Sequence, residues 1–501
     1  MKLTPRTFRI QWDVHAWAGV VASLFLFVIF FCGVFSLFRE DLEIWQEPAF
    51  HTAPPGEAAP SFDALLAQVA AREKPPLGTH VSFLTHEETR LVTAYLFEPS
   101  GVRELWLDPV SGAGHTARSR LASELYWMHF FYRVPWGMEL SGLLAVALLV
   151  TLVTGLVIHL KDLRRQWWSF RPALKARFSA SDAHKVLGVF GLPFTAVIGW
   201  SGAVLCLSAL LAQGFTATVF RGDAARVAAL RGYGQPVREE AKRAAGMLPL
   251  DTLVERARTA VPGATGTPRY VDLQLRGDAN AWVGVYFQLE PLGADHYALL
   301  DAVSGETLAT SASYRTPSFT FERVLFDLHY AHYGGALVKV LYALLALAVC
   351  AVLLTGNLIW LERRDAGRTH RGNRLLERLT VGVCAGLVLG CAVYFAGNRV
   401  LPETLARRAD WEFGLCLGAW GLSALGALAV SPRRAARGLL GAAAVLFAGV
   451  VVSDVVFQDA HLFTALARGL PPVFVSEVLL CVLAGGCGAL VWRLARPWKA
   501  P

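Results

Sequence analysis

His184–Leu210 reads HKVLGVFGLPFTAVIGWSGAVLCLSAL, and the chain has already said something similar at His15–Phe38, HAWAGVVASLFLFVIFFCGVFSLF. In both copies a glycine follows the histidine at +4 (Gly19, Gly188) and another at +18 (Gly33, Gly202). At about 100° per residue, +18 completes five turns and +4 falls only about 40° away, so histidine and glycines share one helical stripe. A smooth stripe with an imidazole at one end suits a flat, bulky group pressed against the helix. It also suits close packing of membrane helices, for which glycine stripes are the usual device. The stripe alone leaves both readings open.

Of the 501 residues, 54% are hydrophobic and only 17% charged, the composition of a polytopic membrane protein. Apolar runs long enough for a ~30 Å hydrocarbon core fall at 14–38, 137–160, 185–211, 336–361, 379–397, 411–430, 437–457 and 473–492. Eight spans are expected. With the N-terminus inside, most Lys and Arg of the short loops lie on the cytoplasmic side, from Arg6 and Arg9 through Lys161, Arg164, Arg165, Arg171, Lys175 and Arg177. Arg363, Arg364, Arg368, Arg371, Arg374, Arg378, Arg433, Arg434, Arg437, Arg493, Arg496 and Lys499 follow on the same side. The positive-inside rule therefore puts both termini in the cytoplasm of an inner-membrane protein. The net charge of +8 is topology signal and gives no reason to invoke nucleic acid. All eight cysteines lie in apolar runs, so no disulfide framework is implied. The first run, about 25 residues without a small-residue cleavage site, reads as a retained helix.

Two polar regions, about 39–125 and 213–327, follow the first and third spans and share one plan. A helix (FDALLAQVAARE after Ser61; one around Asp251–Arg258) precedes alternating strand-like segments. Both contain the same turn, Asp108-Pro-Val-Ser-Gly112 and Asp301-Ala-Val-Ser-Gly305. LYWMH leads into the second span and FDLH into the fourth, whose far ends read TGLVIHLKD and TGNLIWLER. The unit helix, extracytoplasmic α+β domain, helix therefore occurs twice in one orientation. The last four spans have no such partner.

Six of the thirteen histidines stand at span ends. His15, His159 and His184 gather at the cytoplasmic boundary; His129, His329 and His332 gather at the other. Histidine in lipid is costly and turns to the bundle interior, so the clusters point to two bis-histidine haem sites. No C-x-x-C-H motif occurs, so both haems would be non-covalent, b-type. A duplicated unit implies a pseudo-twofold axis along the membrane normal, and a haem on that axis takes equivalent ligands: His15 with His184, His129 with His329. His159 is matched by Trp360 and His332 lies three residues past His329, yet His159 stays open as a replacement in the cytoplasmic pair. Interfacial histidines can instead bond headgroups or loops. Asp454, Glu477 and Lys339 sit within spans as paired charges or as part of a proton path.

Together, HAWAGV at His15, LYWMHFFYRVPWG around His129, TGLVIHLKDLRRQWWSFRP from Thr154, DAHKVLGVFGLPF around His184 and FDLHYAHYGG…TGNLIWLERR from Phe326 resemble the PepSY-associated transmembrane family, which includes inner-membrane siderophore reductases. The resemblance covers about residues 5–365. It implies a polytopic α-helical membrane protein with two periplasmic α+β PepSY-like domains, b-type haems and electron transfer across the membrane. The spans and the resemblance together give the expected division: a first span within 1–38, a PepSY-like domain over 39–125 and a second span within 126–161. A cytoplasmic loop over 162–183, a third span within 184–212 and a second PepSY-like domain over 213–327 follow. A fourth span within 328–362, a cytoplasmic loop over 363–378 and four further helices over 379–501 complete it. The expected activity is one-electron reduction of a periplasmic Fe(III) chelate such as a ferric siderophore, fed by a cytoplasmic or membrane electron donor. No nicotinamide or flavin fingerprint is present. A haem-free scaffold binding a periplasmic partner, and a permease, are the rival readings.

Overall fold

A computed structural model describes residues 4–52, 59–87, 89–99, 101–159, 176–223, 226–227, 238–288, 295–311, 316–364 and 370–496. Helix α1 (Pro5–Ser36) opens under a Thr4 cap, with Pro5 where a missing N–H costs nothing. A short helix α2 (Arg39–Trp45) turns away, and α3 (Phe62–Glu73) starts at Ser61, whose hydroxyl accepts from the Ala64 amide. Strands β1 (His80–Thr85), β2 (Val92–Glu98), β3 (Gly101–Leu107) and β4 (Gly114–His115) follow. Helix α4 (Leu121–His129) ends on its histidine, and α5 (Gly137–His159) returns across the bundle. The break between α4 and α5 is obligatory at Gly137, where a Cβ would fall 1.9 Å from the Phe131 carbonyl oxygen.

The second half repeats this order. The expected third span is two helices in series, α6 (Ala176–Phe190) and α7 (Leu192–Thr218), starting earlier than 184. Pro193 lacks the N–H an unbroken helix would need there. Lys161, Arg164, Arg165, Arg171 and Lys175 lie outside the described residues. Helix α8 (Leu250–Ala260) precedes β5 (Tyr270–Gln274), β6 (Trp282–Gln288), β7 (Asp295–Asp301) and β8 (Thr307–Thr310). Helix α9 (Pro317–Tyr330), capped by Thr316, and α10 (Gly335–Arg364) close the repeat.

The two polar regions do not form separate domains. Their strands make one antiparallel sheet, ordered β4-β3-β2-β1-β5-β6-β7-β8. At its centre Ser82 faces Asp272, 190 residues on (272 − 82), the same offset that carries β2 (Val92) into β6 (Trp282; 282 − 92). The pseudo-twofold axis thus passes through the β1–β5 joint. Pairing there removes the two edges that separate domains would leave bare. Helices α3 and α8 cover one face over a shared core that includes Leu65, Val69, Phe83, Leu253, Val271 and Leu273. Each helix caps the other: Asp251 accepts from the Ser61 hydroxyl and Phe62 amide, and Asp63 from the Leu250 and Asp251 amides. The repeated turn is real in both copies. Asp108 accepts from the Val110 amide and Asp301 from the Val303 amide, each at 2.9 Å, and Gly112 and Gly305 take φ of 70° and 74°.

Helices α11 (Arg371–Val400), α12 (Arg408–Ala427), α13 (Pro432–Phe457) and α14 (Pro471–Ala495) follow. Among the described residues, seven helices are long and apolar enough to span a membrane: α1, α5, α7, α10, α11, α13 and α14. The stretch expected at 411–430 is α12, whose 20 residues include Asp410 and Glu412 in its first turns. It runs back along α11. Arg408 bonds the Asn398 carbonyl at one end of α11, and Arg378 near the other end bonds the Leu428 carbonyl beyond α12. Of the intramembrane charges, Asp454 is paired, with Arg399 at 2.7 Å and the Trp45 indole at 3.1 Å, tying α13 and α11 to α2. Glu477 is buried and accepts from the Leu462 amide.

Candidate functional site

The duplicated helices bring four histidines into two pairs. On the side away from the sheet, His15 of α1 and His184 of α6 stand with ring centres 6.2 Å apart and planes at 88°. On the sheet side, His129 of α4 and His329 of α9 stand 6.0 Å apart with planes at 49°. Along α1, His15 and Gly33, against which His129 packs, are 18 residues or about 27 Å apart. The pairs therefore lie near opposite faces of a ~30 Å hydrocarbon layer.

Each far-side imidazole is aimed by the same local device. His15 Nδ1 donates to the Thr151 carbonyl at 2.8 Å, and His184 Nδ1 to the Val352 carbonyl at 2.9 Å, as backbone acceptors require. Thr154 and Thr355 fold their hydroxyls back onto Val150 and Ala351 of their own helices, each 3.4 Å from the imidazole Nδ1. The following glycines make room for the rings: a Cβ on Gly155 would meet His15 Cε1 at 3.0 Å, and one on Gly356 would meet His184 Cε1 at 3.2 Å. The Thr-Gly step of TGLVIH and TGNLIW is thus a histidine seat. The sequence carried that signal, but as a repeat rather than as part of the site.

The sheet-side pair uses the other glycines. A Cβ on Gly33 would meet His129 Cε1 at 3.0 Å, and one on Gly202 would meet His329 Cε1 at 3.4 Å. The glycine stripe is therefore not one continuous bed for a flat ligand. Its +18 positions seat the opposite pair of imidazoles. Its +4 positions are open, with nothing within 4 Å of a Gly188 Cβ and only Thr151 Cγ2 at 4.0 Å from one on Gly19. His129 Nδ1 donates to the Ile29 carbonyl at 2.6 Å, whereas His329 Nδ1 bonds the Ser201 hydroxyl at 2.8 Å. Ser201 itself donates to the Val197 carbonyl at 2.6 Å, so it accepts from His329.

In all four histidines Nδ1 is engaged, and Nε2 has no hydrogen-bond partner among the described residues. A hydrogen bond at one ring nitrogen fixes the tautomer and leaves the other as the ligating lone pair. A metal–imidazole bond is about 2 Å, and the ring centre lies roughly 1 Å beyond the nitrogen, so two imidazoles trans on one metal sit about 6 Å apart. Both pairs have that spacing, and the donor set and open +4 glycines fit a bis-histidine haem.

The remaining two histidines stand apart. His159 ends α5 one turn past Gly155, within electrostatic reach of His184. Its repeat counterpart Trp360 packs on Trp17 at 4.9 Å beneath the Arg364 guanidinium. His332 is 46% exposed, 3.9 Å from Asp327 and 5.4 Å from the Tyr330 ring. A further feature was missed in sequence: the hydroxyls of Tyr126 and Tyr330, beside the sheet-side pair, meet across the pseudo-axis at 2.8 Å.

This arrangement defines a multi-pass helical membrane protein with a duplicated core and an extramembrane sheet. The chain belongs to the PepSY-associated TM region family, which matches it over residues 12–363 and so takes in both histidine pairs and the whole sheet. It is also 28% identical over 386 residues to an uncharacterised protein of Pseudomonas aeruginosa, covering 73% of this chain and 92% of that one. Helices α11–α14 lie beyond the family match.

Proposed function

We propose that this is an inner-membrane haem protein that carries electrons from the cytoplasmic to the periplasmic side and reduces an Fe(III) chelate such as a ferric siderophore. One b-type haem would lie between His15 and His184, the other between His129 and His329. Bound there, haem supplies reversible one-electron chemistry, and the protein supplies orientation and tuning. The observation that carries this reading is the repeated imidazole pair, with Nδ1 fixed, Nε2 free and centres about 6 Å apart, once near each membrane face. Thr154, Thr355, Gly155 and Gly356 hold the far-side rings; Gly33, Gly202 and Ser201 hold the sheet-side rings.

Arg363 and Arg364 end α10 on the far side, which the positive-inside rule makes cytoplasmic. The sheet then stands in the periplasm, above the His129–His329 pair. Lowering iron from 3+ to 2+ weakens its attraction to anionic oxygen ligands and releases the metal. Purified full-length protein, made with haem supplied, should show low-spin b-type absorption that oxidises on adding a ferric chelate to the reduced sample. Protein free of haem absorption would instead support the scaffold reading. A reporter fused at residue 230 should behave as periplasmic.

A further inference from the structure

Where α11, α13 and α14 meet α2, the C-terminal helices enclose a polar cluster that the haem sites do not use. Trp45 of α2 and Glu477 of α14 are 0% exposed, Asp454 of α13 is 1% exposed, and the Arg399 side chain of α11 is 5% exposed. The Arg399 guanidinium lies 3.7 Å over the Trp45 ring. Its Nε and Nη2 donate to the two Asp454 oxygens at 2.7 and 3.1 Å, and it also bonds the Asn398 side chain and the Trp45 carbonyl. The Trp45 indole adds a third donor to Asp454 at 3.1 Å. Asp454 is thus an ion-paired carboxylate with both oxygens taken.

Glu477 has no such set. Its Oε2 accepts from the Leu462 amide at 2.6 Å, and its Oε1 is buried with no hydrogen-bond partner among the described residues. Yet the carboxyl lies within hydrogen-bonding reach of Asp454. Two carboxyls in contact repel as anions and bond only when one carries the proton that the other accepts. Charge balance says the same. Arg399 offsets one carboxylate, and a second one buried without a cation is costly enough that such groups neutralise instead.

The surrounding elements bring no second cation into the cluster among the described residues. His51, on the single turn Pro48–Thr52 after α2, senses Arg399 and Asp454. Burial first, and the Arg399 charge next, lower its imidazole to about 4, so it stays neutral. Its Nε2 is also buried without a partner. Helix α2 carries Asp41 one turn before Trp45, and α14 carries Cys481 one turn after Glu477. The connection from α13 to α14 holds Asp459, His461 and an exposed Arg468.

The geometry points to Asp454 and Glu477 as a proton-binding site, with one proton held on Glu477 and shared with Asp454. Filling it moves one H⁺ from water to Glu477 and changes no oxidation state. Emptying it leaves two carboxylates on one guanidinium, at the point where Arg399 and Asp454 hold Trp45 of the duplicated core. The proton therefore governs how the C-terminal helices grip α2.

The test is the infrared difference between the parent and its variants, full-length and in nanodiscs at pH 7, where free carboxyls are ionised. The carbonyl stretch of a protonated carboxyl, shifted in D₂O, should be present in the parent and lost in Glu477→Gln. Glutamine has the shape of the protonated acid, so this variant should fold and melt as the parent does. In Asp454→Asn the guanidinium is left to Glu477, which should ionise, so the band should vanish although Glu477 remains. Arg399→Lys keeps the charge balance and should keep the band. A Glu477→Gln spectrum identical to the parent's, or a Glu477→Gln chain that no longer folds, overturns the site. A band unmoved in Asp454→Asn, or lost in Arg399→Lys, overturns the sharing. None of these spectra depends on bound haem, so the site and the reductase reading stand or fall separately.

Discussion

The far-side and sheet-side histidine pairs come from the same duplication, yet only the first keeps its symmetry. His15 and His184 donate to equivalent backbone carbonyls, beside equivalent threonines and over equivalent glycines. At the sheet side, His129 donates to a backbone carbonyl and His329 to the Ser201 side chain, and the glycine contacts differ by 0.4 Å (3.4 − 3.0). Around the sheet-side pair the copies diverge: α1 ends at Ser36 and gives way to α2, whereas α7 runs straight to Thr218. A backbone seat survives sequence drift because any residue supplies a carbonyl. A side-chain seat is where the two copies become different, and that difference falls on the sheet side.

Removing a ligand should have the largest effect. His15→Ala or His184→Ala should strip the far-side haem or turn it high-spin and spare the other. His129→Ala or His329→Ala should do the reverse, and His159→Ala should leave both low-spin. Haem content and the low-temperature absorption of each variant are the measurement. A far-side haem lost in His159→Ala and kept low-spin in His15→Ala would transfer the ligand role.

Next come the seats. Gly155→Ala and Gly356→Ala should perturb the far-side haem alike, since the new methyls press on equivalent rings at 3.0 and 3.2 Å. Gly33→Ala should disturb the sheet-side haem more than Gly202→Ala, because overpacking at 3.0 Å costs about 1–3 kcal/mol and 3.4 Å is nearly ordinary contact. Potentiometric titration reads all four; equal effects at Gly33 and Gly202 would erase the asymmetry.

Ser201→Ala should act more gently and at one site only. It leaves the His329 N–H unpaired, and loss of such an orienting partner lowers metal affinity about 10–100-fold. Haem retention during dilution should fall at the sheet side while the far side stays unchanged.

The smallest effect belongs to the sheet joint, where Ser82 in one copy faces Asp272 in the other. Burial pushes the Asp272 carboxyl up, but hydrogen bonds from His80, at 2.5 Å, and from Ser82 outweigh it and hold it below 3.8. A folded pKa under the unfolded one means stability complete above about pH 4 and lost as pH falls through the folded value. Melting temperature should therefore drop in that acid range, and Asp272→Asn should flatten the drop.

Much of this was legible in sequence because it is local and repeated. The H-x₃-G-x₁₃-G helices, the two histidine clusters and the Asp-x-Val-Ser-Gly turns are spacings, and spacing survives without a fold. What stayed hidden depends on partners far along the chain. Nothing in HVSFLT or YVDLQL says that β1 will pair with β5 to fuse two expected domains into one sheet. The glycine stripe was visible, but its +18 positions proved to seat imidazoles arriving from α4 and α9. The run at 411–430 was legible as apolar, but Asp410 and Glu412 hold its helix α12 short of the composition of the seven candidate spans. Asp454 and Glu477 could be seen as intramembrane charges, while the Arg399 and Trp45 that partner Asp454 could not.

The most direct test of the central claim is the absorption and electron paramagnetic resonance spectrum of the purified full-length protein. Two haems per chain are expected, both b-type and low-spin, with bis-imidazole signatures that differ between the near-perpendicular far-side pair and the 49° sheet-side pair. A chain that takes up no haem when haem is supplied, or binds a single high-spin haem unaffected by His15→Ala and His129→Ala, would contradict the account.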